Sequence, residues 1–414
     1  MEFRWARRMS GMRTSEIREI LKLTQRPGMI SFAGGLPAAE LFPVDRVDEM
    51  TRLVFERDGY RALQYSTTEG DPSLRQAIAD RMNRLVGAEI GADNVLITSG
   101  SQQGLDLAAR IFLDPGDVIL CESPTYLGAI NAFKGYEPRF VEVPTDEDGM
   151  IIPELERILE REGSVKLAYV VPEFQNPTGR TWSLERREAF LELMVRHGIP
   201  VLEDSPYGEI RFEGEQVPSL ISLDTEGIVV FLGTFSKIFC PGLRIGWLAA
   251  PLELREKFVM VKQGVDLHTS TLGQRQIATY LEHFDLDADI RGIAELYRKR
   301  RDVMLRTMEE EFPPGVSWNV PQGGMFFWVV LPEGLDAARV LERSLELGVA
   351  FVPGGPFFPS GGNQNTMRLN YSAMPEERIR EGITRLGSVL REMIGEMAPV
   401  GTPPEQAPAP EAIS

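Results

Sequence analysis

The sequence predicts an α/β fold: a large domain around a mostly parallel β-sheet with helices on both faces, followed by a smaller α+β domain. Three observations carry this. Between residues 94 and 248, short apolar runs alternate with helical stretches. Each run is rich in apolar or β-branched residues and is bounded by Gly, Pro or polar residues, the pattern of a strand buried on both faces. Beyond residue 290 the alternation gives way to a long charged helix and several short strands.

The elements follow in order. Residues 94–98 (NVLIT) predict a strand and residues 102–112 the helix after it. Further strands are expected at 118–121, 167–171, 200–203 and 228–232. In the last third, residues 291–310 predict a long helix, 324–331 (GMFFWVVL) a buried strand, 349–352 and 367–370 short strands, and 375–396 a closing helix. From residue 398 the chain is dominated by Pro, Ala and polar residues with no apolar period, which predicts a disordered tail. The expected division is an arm over residues 1–45, a large domain over 46–290, a small domain over 291–397, and the tail over 398–414.

Composition narrows the function classes. A chain of 414 residues, 43% hydrophobic, can bury a large core and is long enough for two domains. No apolar run approaches the length of a bilayer span, and the basic N-terminus leads into no apolar signal region. Cys121 and Cys240 form no disulfide framework and lack CxxC spacing, which suits a reducing, cytoplasmic setting. The net charge of −17 repels nucleic acid, so any basic site must be local and aimed at a small anion. The three histidines, His197, His268 and His283, are far apart in sequence, and no metal site is expected.

In a parallel sheet the ligand lies beyond the carboxyl ends of the strands, so the polar residues just after each strand matter most. After residues 94–98 comes Ser99-Gly100-Ser101-Gln102, a turn opening a helix, where backbone N–H groups can cradle an anion or merely cap the helix. After 167–171 comes Asn176-Pro177-Thr178-Gly179; after 200–203 come Asp204 and Tyr207; after 228–232 come Ser236-Lys237 and then Arg244. Each alone would read as a turn or a solvated surface group. Together they offer an amine, an acid, phenol and amide donors and an anion site at one sheet edge. An aldehyde-phosphate cofactor needs this set.

The segment Ser236-Lys237-Ile238-Phe239-Cys240-Pro241-Gly242-Leu243-Arg244 resembles the cofactor-lysine signature of the class I and II aminotransferases, the fold type I enzymes that use pyridoxal 5′-phosphate (PLP). Asn176-Pro177-Thr178-Gly179 resembles their NPTG turn and Asp204-Ser205-Pro206-Tyr207 their D-x-x-Y element. The resemblance runs from about residue 12 to 396 and implies a fold type I PLP-transferase with a seven-stranded sheet in the large domain. It implies that Lys237 holds PLP as a Schiff base and acts as acid and base in the 1,3-proton shift. Asp204 would pair with the pyridine N–H, and Asn176 and Tyr207 would donate to the phenolate oxygen. Ser101, Gln102, Ser236 and Arg244 would bind the phosphate, and Tyr126 would stack on the ring. Arg368 would hold the substrate α-carboxylate in a bidentate pair. Tyr65 would reach the phosphate of a neighbouring subunit, which implies a homodimer with shared active sites.

Residues 15–24 (SEIREILKLT), 31–37 (SFAGGLP), 263–268 (QGVDLH) and 350–358 (AFVPGGPFF) resemble the 2-aminoadipate aminotransferase subgroup, with its kynurenine, aromatic and branched-chain enzymes. That likeness implies that Ser15 and Arg18 lie on a helix covering the substrate, with Arg18 meeting an acidic side chain, and that Gly35 lies beside the substrate carboxylate. The expected reaction is amino transfer between an L-amino acid and a 2-oxo acid such as 2-oxoglutarate. Two alternatives compete: a lyase or decarboxylase on the same cofactor, and a PLP-sensing transcriptional regulator. The acidic charge and the onset of the pattern near residue 12 weigh against the regulator.

Overall fold

A computed structural model describes residues 3–11 and 28–397 of the chain. Ser15, Arg18, the helix expected around them and the tail from residue 398 lie outside the described residues.

In chain order the strands are β1 (Ile30–Ser31), β2 (Val95–Thr98), β3 (Val118–Ser123), β4 (Arg139–Asp146), β5 (Gly149–Met150), β6 (Leu167–Val170) and β7 (Val201–Asp204). They continue with β8 (Val229–Thr234), β9 (Gly246–Ala249), β10 (Ser317–Trp318), β11 (Phe326–Val330), β12 (Val349–Ala350), β13 (Val352–Pro353) and β14 (Thr366–Asn370). The large sheet has the order β2-β9-β8-β7-β6-β3-β4-β5. Strands β8, β7, β6, β3 and β4 run parallel; β9 is antiparallel to both of its neighbours. The resemblance implied seven strands, and the sheet has seven of four or more residues. An eighth, β5, is a two-residue hairpin extension that pairs antiparallel with β4 at the edge.

Alternation along the strands sends side chains to opposite faces. Cys121, Tyr169, Leu202 and Leu232 pack with the helices Ser101–Phe112 and Leu252–Gln263 on one face. Leu120, Val170, Val201 and Val229 pack with Ile152–Glu162 and Leu184–His197 on the other. The five strands expected in this region appear as β2, β3, β6, β7 and β8, with no end displaced by more than two residues.

The last third builds a second, antiparallel sheet in the order β10-β11-β14-β13. Its long helix, Leu286–Glu311, begins a turn earlier than expected, because the Asp285 side chain accepts the Ala288 N–H and caps it. The closing helix, Glu376–Met397, packs against it. The N-terminal segment is stitched into this part of the molecule. Strand β1 pairs in parallel with β12, and the Asn370 N–H donates to Phe32 O at 2.9 Å. Segment 30–36 is thereby held beside β14 and over the carboxyl ends of the large sheet. Among the described residues, no helix is long and apolar enough to cross a membrane.

Candidate active site

The carboxyl ends of β6, β7 and β8 and the start of helix Ser101–Phe112 open onto a cavity of about 280 Å³. Of the described residues expected from sequence to form the site, all but Tyr65 line it.

Lys237 lies just past β8, and its Nζ donates to Gly35 O at 2.7 Å. Burial, reinforced by the cationic Arg368 and Arg244, lowers its pKa to about 8. Such an amine is partly neutral near physiological pH and can act as a nucleophile or base. Asp204 ends β7. Its Oδ2 accepts the Tyr169 hydroxyl at 3.0 Å, while Oδ1 is buried with no hydrogen-bond partner. Burial pushes this carboxyl up to about 7, and the bond from Tyr169 opposes the shift.

Helix Ser101–Phe112 starts at Gly100, which has φ 75° and provides no side-chain cap. The Gln103 N–H turns back to Gly100 O at 3.1 Å, and the N–H groups ahead of it, on Ser101 and Gln102, are left for a ligand. The glycine is required twice over: an L side chain strains at this φ, and a Cβ would come within 2.5 Å of the Arg244 guanidinium. Arg244 itself donates to Ser236 Oγ at 3.4 Å and to Pro241 O at 3.2 Å. The Ser101 hydroxyl donates to Gly233 O. The Gln102 side chain is engaged with Gly128 O at 3.0 Å, so at the anion cradle it offers its backbone and not its amide group.

Asn176 joins two parts of the site. Its Nδ2 donates to the Tyr207 hydroxyl at 3.1 Å, and its Oδ1 accepts from Arg368 Nη1 at 2.7 Å. Arg368, on β14, also donates from Nη2 to Ala33 O at 2.8 Å, and its buried Nε has no partner. Its guanidinium lies 4.2 Å from the Phe326 ring centroid and 5.2 Å from that of Phe357. Burial lowers its pKa to about 10. Tyr126 borders the cavity from the turn before helix Leu127–Lys134, where a Cβ on Gly128 would overlap its ring.

Behind the site lies a tier that sequence reasoning missed. Glu122 accepts the Val171 N–H at 2.8 Å and Trp182 Nε1 at 2.9 Å. Gln175 donates to Pro124 O at 2.7 Å and accepts the Thr178 N–H, tying the Asn176 turn to the Tyr126 turn. Tyr169 was missed as well, because a tyrosine within an apolar run reads as packing. Only its shared sheet face with Asp204 distinguishes it. Tyr65 stands apart, 78% exposed, its ring edge-on to His268 at 5.7 Å.

A family model described as aminotransferase class I and II matches residues 30–386. The chain is 49% identical over 386 residues to aromatic-amino-acid aminotransferase 1 of Thermococcus litoralis, covering 92% of this chain and 93% of that one. It is 43% identical over 386 residues to the 2-aminoadipate transaminase of Thermus thermophilus, covering 92% and 95%. Among solved structures it resembles the Pyrococcus horikoshii kynurenine aminotransferase, in complex with PMP, KYN as substrates and KYA as products. There the TM-score is 0.91 at 42% identity, over 94% of this chain and 97% of that one.

Proposed function

This chain belongs to the aminotransferase class I and II family, and from that premise we propose that it moves the amino group of acidic, aromatic and branched-chain L-amino acids to 2-oxo acids such as 2-oxoglutarate. It is a PLP-dependent aminotransferase acting on small amino acid and 2-oxo acid substrates. The observation that carries the assignment of roles is Asp204 Oδ1, a buried carboxylate oxygen without a partner in the same cavity as a buried lysine amine. A protonated ring nitrogen would satisfy that oxygen, and the uncapped helix start with Arg244 suits a phosphate. The residues therefore fit the cofactor.

When bound, PLP supplies an aldehyde that condenses with amines and a pyridinium ring that accepts electrons from the substrate α-carbon. The chain's own residues do the rest. Asp204 would hold the proton on the ring nitrogen through Oδ1. Asn176 and Tyr207, linked to each other, would present donors to the ring oxygen, and Tyr126 would border the ring. Ser101, Ser236, Arg244 and the backbone N–H of Gln102 would hold the phosphate. Lys237 Nζ takes the proton from the substrate α-carbon and returns it to the carbon that receives the amino group. Arg368 offers its free Nε–H edge to the α-carboxylate next to Gly35, with Asn176 and Ala33 fixing its plane. Arg18, with Ser15, meets the side chain of acidic donors. Tyr65 reaches the phosphate of a partner subunit, so the working unit is a homodimer in the cytoplasm.

The test is spectroscopic and kinetic. The purified protein loaded with PLP is expected to show a visible absorption band, and Lys237→Ala to lose both the band and transamination, the latter by on the order of 10²–10⁴-fold. A fully active Lys237→Ala variant overturns the assignment. A panel of donors against 2-oxoglutarate and 2-oxoadipate, repeated with Arg18→Ala, tests the substrate range: only acidic donors should weaken.

A further inference from the structure

We propose that Tyr169 is a positioning residue of this site, its hydroxyl holding Asp204 Oδ2 so that Oδ1 alone is presented to the cofactor's ring nitrogen. The inference rests on the role given above to Asp204.

The placement follows from sheet register. Strand β6 pairs with β7 so that Tyr169 lies opposite Leu202. With a period of two, Leu202, Asp204 and Tyr169 share a face, and a phenol is long enough to reach from one register position to the next. The hydroxyl donates to Oδ2 at 3.0 Å. The ring cannot easily move. Tyr169 is wholly buried, and Phe133 packs edge-on against it, with centroids 5.5 Å apart and an interplanar angle of 72°. Tyr169 is not among the residues lining the cavity, so it acts through Asp204 and not on a ligand.

A purely structural role is the competing account, since a buried tyrosine hydroxyl needs some acceptor. What it leaves unexplained is the other half of the pair. A fold that only had to satisfy Tyr169 has no use for a second carboxylate oxygen buried with no partner, an arrangement that costs stability. A carboxylate with one oxygen fixed and the other open is instead oriented for a ligand. The bond also keeps Asp204 more readily ionised than burial alone would allow. The other ionisable groups around it are Tyr126 and Tyr207 beside it, Lys237, Arg244 and Arg368 across the cavity, and Glu122 beyond Tyr169.

Tyr169→Phe removes one oxygen atom and keeps the ring. The apoprotein would be titrated with PLP and with the analogue in which carbon replaces the ring nitrogen. Wild type is expected to prefer PLP. In Tyr169→Phe, affinity for PLP should fall by about tenfold or more while affinity for the analogue stays within about twofold. The pH below which PLP affinity is lost should move upward. In an Asp204→Asn background, Tyr169→Phe should add no further loss of preference. If Tyr169→Phe weakens both ligands equally, or leaves the wild-type preference intact, Tyr169 merely packs and the inference fails while the role of Asp204 stands. If wild type does not discriminate between the two ligands, the role of Asp204 fails and this inference goes with it.

Discussion

Glu203 and Asp204 are neighbours on β7, both buried, and burial pushes both carboxyls up to about 7. Their side chains leave the strand on opposite faces of the sheet and meet different surroundings. Glu203 accepts the Leu220 N–H at 3.0 Å and the Ile221 N–H at 2.9 Å, one on each oxygen. It caps the short helix Leu220–Leu223, whose own N-cap residue Ser219 makes no side-chain cap. Asp204 has one oxygen held by Tyr169 and the other without a partner beside the cavity. A shifted titration therefore does not separate scaffold from site, because burial alone produces it. Unmet hydrogen-bonding capacity facing a cavity does.

The largest test of that contrast is Asp204→Asn. The amide cannot hold a ring N–H⁺ as a carboxylate does, and kcat is expected to fall by on the order of 10²–10³-fold with the fold intact. A variant with near wild-type turnover would erase the distinction. Arg368 is the other residue lining this cavity that has a buried polar atom without a hydrogen-bond partner, at Nε. Arg368→Lys keeps the charge but loses the planar fork, so KM for the amino donor should rise by roughly tenfold to a hundredfold, with a smaller change in kcat. A KM within error of wild type would show that the open edge does not receive the carboxylate.

Glu203→Gln is the smallest effect and the control. Its amide leaves one of the two helix N–H groups without an acceptor, so stability measured by denaturant titration should fall by about 1–3 kcal/mol while kcat of loaded enzyme is unchanged. It also has a pH signature. Glu203 sits at about 7 against the usual 4.5, so the folded chain binds its proton more tightly than the unfolded one. Its contribution to stability is full below about 4.5 and is lost as pH rises through about 7. Across that range the apoprotein of Glu203→Gln should lose less stability than wild type. A parallel pH dependence of the two proteins would count against burial as the cause of the shift.

Legibility in the sequence followed burial. Strands β3, β6, β7 and β8 are buried on both faces and stand out as apolar runs between turn residues. Strand β4 was missed because it lies toward the edge, where exposed Arg139 and Pro144 interrupt buried Val141 and Val143. Strand β9 is short, opens on a glycine and returns antiparallel between β2 and β8, and sheet order is not encoded in local periodicity. The site was legible wherever a functional group follows a strand in a distinctive motif, as with Lys237, Asp204 and Asn176. It was not legible where an arrangement depends on a partner distant in sequence: Tyr169 meets Asp204 35 positions on, and the Gln102 side chain is engaged by Gly128 O.

Arg368 has one more consequence. Its guanidinium is fixed before any substrate arrives, by Asn176 Oδ1, by Ala33 O and by the faces of Phe326 and Phe357. A free arginine loses up to roughly 2 kcal/mol of rotamer entropy when it is pinned. Here that loss has already occurred during folding, once per protein molecule, and is not repeated at each encounter. In the role proposed for Arg368, the carboxylate common to every amino acid would thus meet a receiver that needs no ordering. Substrates of quite different side chain would then start from the same entropic baseline, leaving differences in affinity between them to the side chain.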